Sequence, residues 1–445
     1  MINTFNPFNQ KVWVVAVNMG YGHQRTAHPL RKLAFKEEII NANNYKNIPK
    51  TDKQNWEISR KFYEAISNFY QTFLIGKMCF KIFDQFLKIF KFYPKRDLSK
   101  PNFSLKLMYV LFKRGWGKNL ILKLEKNPLS LLTTFFIPAF MAEYFNYPGE
   151  IFCIVCDVDI SRSWVSFNPS VKEKNKIKYF APTERVVERL KLYGVKEKNI
   201  FLTGYPLPLE NIGDENLEIL KEDLKHRLLN LDPQKKYFKK YKTLIKTSLG
   251  NLPEKSDHPL TIMFSIGGAG AQKEIGIKIL KQLIFEIKQG KIKLILSAGT
   301  KKNLREYFLE NIKKLGLEKY LDKNIEIIYK ARVNDYFRKF NYALRKTDIL
   351  WTKPSELSFY SALGLPIIIA SPIGFQEKFN MRWLLKSGFG FLPEDLNYIT
   401  QWFFDWLEMG YFAEAAMQGF IEGEKLGALN IQKIICENKN INQIV

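Results

Sequence analysis

The stretch LTIMFSIGGAGAQKEIGIKILKQLIFEI, residues 260–287, decides the fold. Its first residues read as a buried strand, Gly267, Gly268 and Gly270 as a turn, and the remainder as a helix. The same rhythm returns in IKLILSAGTKKNLREYFLENI (292–312), NIEIIYKARVNDYFRKF (324–340) and DILWTKPSELSFYSALGLPIIIAS (348–371). Strand–helix alternation sustained over these segments predicts a parallel, doubly wound sheet with helices on both faces. Upstream, KVWVVAV (11–17) predicts a first strand, and NMGYGHQRTAHPL (18–30) a turn into a helix beginning near Thr26. The alternation continues through LSLLTTFFIPAF (129–140), IFCIVCDVD (151–159), KIKYFAPTERVVERLKLYGV (176–195) and IFLTGYPLP (200–208). Two α/β halves are therefore expected. Residues 1–209 form the first, with a helical, aromatic and basic insertion at about 55–127. Residues 210–258 read as a helical connector, 259–397 as the second half, and 398–445 as C-terminal helices able to cross back to the first.

Composition narrows the partners without naming one. The chain has 445 residues, 46% apolar and 15% aromatic, which suits two or three domains with sizeable cores. With 69 basic and 44 acidic residues its net charge is +25, a field that favours phosphates, acidic lipid surfaces or nucleic acid. Lysine, asparagine, isoleucine and phenylalanine are all abundant, a mix that an AT-rich genome also produces. No recognised nucleic-acid module accompanies the charge, and no nucleic-acid partner is expected. Cys153 and Cys156 lie three apart in a strand pattern, pointing to opposite faces, so they neither pair nor share a metal. The histidines at 23, 28, 226 and 258 lack metal-ligand spacing, and no metal is expected. No leader is visible, which suits a reduced, cytoplasmic compartment. No run reaches the roughly 18 to 20 apolar residues of a membrane-spanning helix. The closest, FLIGKMCFKIFDQFLKIF (73–90), carries a narrow polar stripe through Lys77, Lys81, Asp84, Gln85 and Lys88. Such a helix lies on a membrane or packs in a core; it does not span.

Two glycine- and proline-rich turns could carry chemistry. In SIGGAGAQKEIG (265–276), three glycines let the backbone approach a phosphate at a helix N-terminus. The segment lacks both G-x-G-x-x-G spacing and the Lys-Ser/Thr of a P-loop, and a plain tight turn explains it as well. In WTKPSELSFYSALGLPIIIASPIGFQEKFN (351–380), Lys353, Ser355 and helix amides suit a phosphate. The glutamates and glutamine, Glu356, Glu377 and Gln376, suit sugar hydroxyls, because carboxylates accept paired hydrogen bonds from vicinal diols. The bland alternative makes Ser355 a helix cap and Lys353 a solvated charge.

Taken in order, GYGHQRTA, IVCDVD, APTERVVERLKLYGVKEKNIFLTGYPLP, IGGAG, TKPSELSFYSALGLPIII and GFQEKFN resemble the GT-B glycosyltransferases. The nearest branch is that of monogalactosyldiacylglycerol synthase, processive diacylglycerol glucosyltransferase and the peptidoglycan N-acetylglucosaminyltransferase. The resemblance covers most of both halves and fades over 55–127 and the connector. It implies two Rossmann-like domains facing across a cleft, with Gly20, Gly22 and His23 on the acceptor side. It also implies a nucleotide-diphosphate sugar, a UDP-sugar first, held by Gly267, Gly268, Gly270, Lys353, Ser355 and Glu356, with Gln376, Glu377 and Asn380 at the sugar. His23 and Asp157 are the candidate catalytic residues: His23 can orient an acceptor or bind a lipid phosphate, and the Asp157 carboxylate can take the attacking hydroxyl's proton. A strand-end aspartate that caps the next turn is the competing reading of Asp157.

The implied activity is metal-independent transfer of a hexose to a lipid or lipid-linked hydroxyl, with no cofactor beyond the donor. The enzyme would sit peripherally on the inner face of an anionic membrane, docked through segments such as KIFKFYPKR and LFKRGWGKN. One departure stands out. Relatives carry a glutamate eight residues after the lysine, where it grips the ribose. Here that count lands on Ser361, and counting back five from Gly364 lands on Phe359, so the segment is two residues short. Glu356 is the nearby acid that could substitute. The same gap admits a catalytically inactive lipid- or nucleotide-binding protein, and a sugar-nucleotide epimerase on the same fold is the third alternative.

Overall fold

A computed structural model describes residues 10–69, 89–167, 176–265 and 272–442. The chain divides into two compact units. The first comprises Met1–Pro206, Ile373–Asn380 and Leu426–Val445; the second comprises Leu207–Pro372 and Met381–Lys425.

In the first unit, β1 (Val12–Ala16), β2 (Ala34–Asn41), β3 (Leu131–Thr133), β4 (Ile151–Ile154), β5 (Ile177–Ala181) and β6 (Ile200–Leu202) form one sheet. Its order is β2-β1-β3-β4-β5-β6, and every pairing is parallel. Sequence and burial agree at the centre, where β3 and β4 are buried at every position. A parallel strand covered on both faces needs an unbroken apolar run. The edge strand β2 was not legible for the converse reason: AFKEEIIN places exposed charges on an open edge, the usual protection against edge pairing. Its Lys36 and Glu37 have φ of 55° and 54°, and its register against β1 shifts between Val12 and Val14. The expected helix near Thr26 starts earlier, at Gly22, ends at Ala27 and tightens into a 3₁₀ turn over His28–Leu33. Pro29, lacking an N–H to donate, falls at that change. Helices Lys50–Phe69, Phe103–Lys113 and Lys118–Glu125 occupy the expected insertion, whereas most of 73–90 lies outside the described residues.

Helix Glu184–Leu192 is capped by Thr183, whose Oγ1 accepts the Val186 N–H at 3.4 Å. Strand β4 stops at Ile154, so Cys156 belongs to the following loop and not to the strand; neither Cys153 nor Cys156 is in a disulfide. The last helix, Gly427–Asn442, groups with the first unit. A Cβ on Gly427 would sit 2.3 Å from the Tyr205 carbonyl oxygen, so only glycine admits this close approach. Nearby, Asn430 Nδ2 donates to Thr203 O at 2.9 Å.

The second unit holds β7 (Leu260–Ser265), β8 (Ile292–Gly299), β9 (Ile325–Tyr329), β10 (Ile349–Thr352), β11 (Ile367–Ile369) and β12 (Gly390–Phe391). Their order is β12-β11-β10-β7-β8-β9, again all parallel. Helix Lys273–Gln282 lies tightly on this sheet: a Cβ on Gly276 would meet Phe264 Cδ1 at 2.8 Å. Residues 210–258 supply helices Glu218–Leu231 and Lys236–Leu249. The first is anchored by Arg227, wholly buried, whose guanidinium donates to the carbonyls of Thr347, Leu363 and Leu344 at 2.7, 2.7 and 3.2 Å. Burial pulls its pKa down, and these three acceptors offset part of that cost. Among the described residues, no helix is long and apolar enough to cross a membrane.

Candidate active site

Open parallel sheets bind ligands beyond the carboxyl ends of their strands, where the strand order reverses. In the first unit β2 lies on one side of β1 and β3 on the other, so the reversal falls between β1 and β3. His23 and Thr134 stand at the ends of these two strands, and the His23 Nδ1 lies 2.8 Å from the Thr134 carbonyl oxygen. A carbonyl only accepts, so Nδ1 carries the hydrogen and the neutral ring keeps its lone pair on Nε2. Thr134 Oγ1 donates in return to His23 O at 2.9 Å. The ring also rests on Phe135, with centroids 4.6 Å apart, and the Cys156 thiol sulfur lies 3.4 Å from Nδ1. Gly20, at φ 100°, supplies the left-handed turn that brings the chain into this helix.

Asp157 follows on the neighbouring strand's loop and is half-buried. Its Oδ1 accepts from Asn380 Nδ2 at 3.2 Å, and Asn380 Oδ1 accepts the Val158 N–H at 3.1 Å. Two residues on, Asp159 is committed elsewhere, to a buried bidentate pair with Arg189 at 2.8 Å for each bond. Side-chain desolvation works against the Arg189 charge, but Asp159 outweighs it and the guanidinium pKa rises. Glu377 fastens the start of its own helix: its Oε2 accepts the N–H groups of Ile373 at 2.6 Å and Gly374 at 3.3 Å. Gln376 is partly exposed one residue earlier.

In the second unit the reversal falls between β7 and β10. The Thr352 hydroxyl ties the two strand ends together, donating to Ser265 O at 2.7 Å. The loop carrying Gly267, Gly268 and Gly270 leaves here but lies outside the described residues. Gln272, just beyond it, is held at φ 66° and donates through Nε2 to Ser371 O at 3.0 Å. After β10, Lys353 is partly exposed, the Ser355 N–H returns to Lys353 O at 2.9 Å, and Glu356 is buried at the start of a 3₁₀ helix, Glu356–Leu363. Ser355 occupies the cap position without a side-chain cap bond. The two positions counted for the implied glutamate are both packed inside the unit. Ser361 is buried and donates to Ser358 O at 2.9 Å, and Phe359 packs on Trp383 at 5.5 Å. Neither position can offer a carboxylate to a ribose, which leaves Glu356 as the acid of this turn.

Thr134 and Gln272 escaped the sequence reading. A backbone carbonyl that selects a tautomer leaves no residue-type signature, and Gln272 adopts a left-handed conformation more often seen for glycine or asparagine.

A family described as a domain of unknown function, DUF6938, matches residues 253–380. The chain is 22% identical over 389 residues to a processive diacylglycerol beta-glucosyltransferase of Bacillus subtilis, covering 85% of this chain and 82% of that protein. Among solved structures, S. aureus MnaA with UDP aligns over 97% of each chain at 13% identity and a TM-score of 0.47. Acinetobacter baumannii MurG aligns over 96% of this chain and 99% of its own at 12% identity and a TM-score of 0.45. With a parallel six-stranded sheet in each unit and sequence similarity along most of its length, the chain is similar to the processive diacylglycerol glucosyltransferases.

Proposed function

We propose that the chain transfers a hexose from a UDP-sugar to a hydroxyl of a diacylglycerol-type lipid at an anionic membrane surface. The observation that carries this reading is His23, locked by Thr134 O so that Nε2 is a hydrogen-bond acceptor at the reversal point of the first sheet. There His23 orients the acceptor lipid, and Asp157 takes the proton of the attacking hydroxyl. The hydroxyl oxygen bonds to the anomeric carbon as the bond from that carbon to the diphosphate breaks. The electron pair leaves on the nucleotide diphosphate, where helix amides and Lys353 stabilise the charge without a metal. Glu356 replaces the implied ribose contact.

The membrane part of the reading rests on helix Phe103–Lys113. Phe103, Leu107 and Val110 are 64%, 52% and 45% exposed, and they fall on one face at spacings of four and three. Lys106, Lys113, Arg114 and Lys118 are exposed around them. Apolar side chains ringed by cations suit an anionic bilayer, to which each basic residue near the surface adds about 1 kcal/mol. Such an enzyme works on the cytoplasmic face, where its soluble donor is available.

The test is nucleotide release from UDP-, GDP- and dTDP-sugars, with EDTA present, with and without anionic liposomes containing diacylglycerol. Lipid-dependent release from a UDP-sugar, lost in Glu356→Ala, supports the reading and the ribose assignment. Lipid-dependent release that survives Glu356→Ala keeps the transferase and discards that assignment. A sugar epimer formed without lipid would replace the transferase with an epimerase. Liposome binding without release from any donor would leave a non-catalytic binding protein.

A further inference from the structure

We propose that Asn380 positions the Asp157 carboxylate, in place of the sugar contact implied by resemblance; the proposal rests on the transferase reading above for its catalytic consequence. Asn380 is only 1% exposed, and its one planar amide holds two successive residues of the loop after β4. The orientation of that amide is dictated by its partners. The Val158 N–H can only donate, and an ionised Asp157 can only accept, so turning the amide over would lose both bonds.

The rest of the loop is held as well. Thr183 Oγ1 donates to Val158 O at 3.3 Å, and Asp159 is gripped by Arg189 while also accepting the Ile160 N–H at 2.9 Å. Backbone and flanking side chains are thereby fixed, while Asp157 itself stays half-buried. Asn380 in turn is steadied by its own helix, whose entry Glu377 fastens onto the Ile373 and Gly374 amides. The amide N–H on Asp157 favours the ionised carboxylate and restricts its rotamer, which is what a proton acceptor needs before substrate arrives. Among the described groups near this loop, Asp159 pairs with Arg189, and His23 Nδ1 faces Thr134 O and the Cys156 thiol.

Two measurements separate positioning from the alternatives. The first follows the Asp157 carboxyl carbon by NMR titration in aspartate-labelled full-length protein, assigned by its loss in Asp157→Asn. Asn380→Ala should raise the Asp157 titration midpoint by about one unit. Asn380→Asp should raise it further, because a second carboxylate replaces the donor. The second measurement is steady-state transfer. Asn380→Ala should lower kcat roughly tenfold or more with donor KM changed less than about twofold, and shift upward the acid limb that is absent in Asp157→Asn. An unchanged Asp157 titration in folded Asn380→Ala or Asn380→Asp protein overturns the proposal. A rise in donor KM with altered sugar preference and an unmoved midpoint also overturns it, and makes Asn380 a sugar ligand. If wild type transfers no sugar, the functional reading fails, yet the titration still decides whether Asn380 positions Asp157.

Discussion

At the scale of single residues, His23 shows how a backbone atom can decide the chemistry of a side chain. The sequence placed a histidine after the first strand; it could not show that Thr134 O would claim Nδ1 and leave Nε2 as the acceptor. That detail depends on β3 lying beside β1, a long-range pairing of residues more than a hundred positions apart in the chain. The place of Asp157 at the end of an apolar run was legible, whereas its hydrogen bond to Asn380, from a distant segment, was not. The prediction for His23 concerns the acceptor. His23→Ala removes one neutral hydrogen bond, worth about 1 kcal/mol, so acceptor KM should rise about fivefold while donor KM stays put. Steady-state kinetics at varied lipid and donor would detect an equal rise in donor KM, which would remove His23 from the acceptor side.

At the scale of elements, the buried strands were readable because burial on both faces demands continuous apolar sequence, as β4 and β7 show. β2 and the 3₁₀ winding of Glu356–Leu363 were not readable: one is a charged edge, the other a tertiary choice of pitch. The start of β7 is joined to the start of β10 by an ionic latch that the sequence also concealed. His258 Nδ1 lies 2.5 Å from Asp257 Oδ1, and its Nε2 lies 3.1 Å from the wholly buried Asp348 Oδ1. Burial opposes the His258 charge, but Asp348 and then Asp257 outweigh it and raise the pKa. Burial likewise disfavours the Asp257 charge, but His258 and Lys346 prevail and bring its pKa down to about 2. The two shifts set the sign of the pH dependence. The His258 contribution is fully present below its unfolded value of about 6.5 and is lost as pH rises through the raised folded value. The Asp257 contribution is present above its unfolded value and is lost as pH falls through about 2. Thermal denaturation should therefore show Tm falling as pH rises from about 6.5 through the raised folded value of His258. In His258→Asn that fall should be visibly shallower; equal slopes in the two proteins would show that the latch contributes nothing.

At the scale of the whole molecule, the net charge of +25 and the exposed Phe103, Leu107 and Val110 make separable contributions to membrane binding. Coulomb attraction between exposed charges fades as the screening length drops from about 10 Å at 0.1 M salt to about 3 Å at 1 M. Apolar insertion does not fade in this way, because it depends on area removed from water. Binding to anionic vesicles should accordingly weaken steeply with salt in the wild type and leave a salt-resistant remainder. In the double variant Phe103→Ser with Leu107→Ser, the low-salt attraction should persist and the remainder should vanish. Both side chains lie outside the core, so Tm should move little. Vesicle co-sedimentation across a salt series reads both contributions at once. If the charge plays no part in docking, neutral vesicles and anionic vesicles would bind alike. If the helix face is not the docking surface, the double variant would retain its full salt-resistant binding, and the insertion at 55–127 would need another explanation for its exposed aromatic and aliphatic side chains.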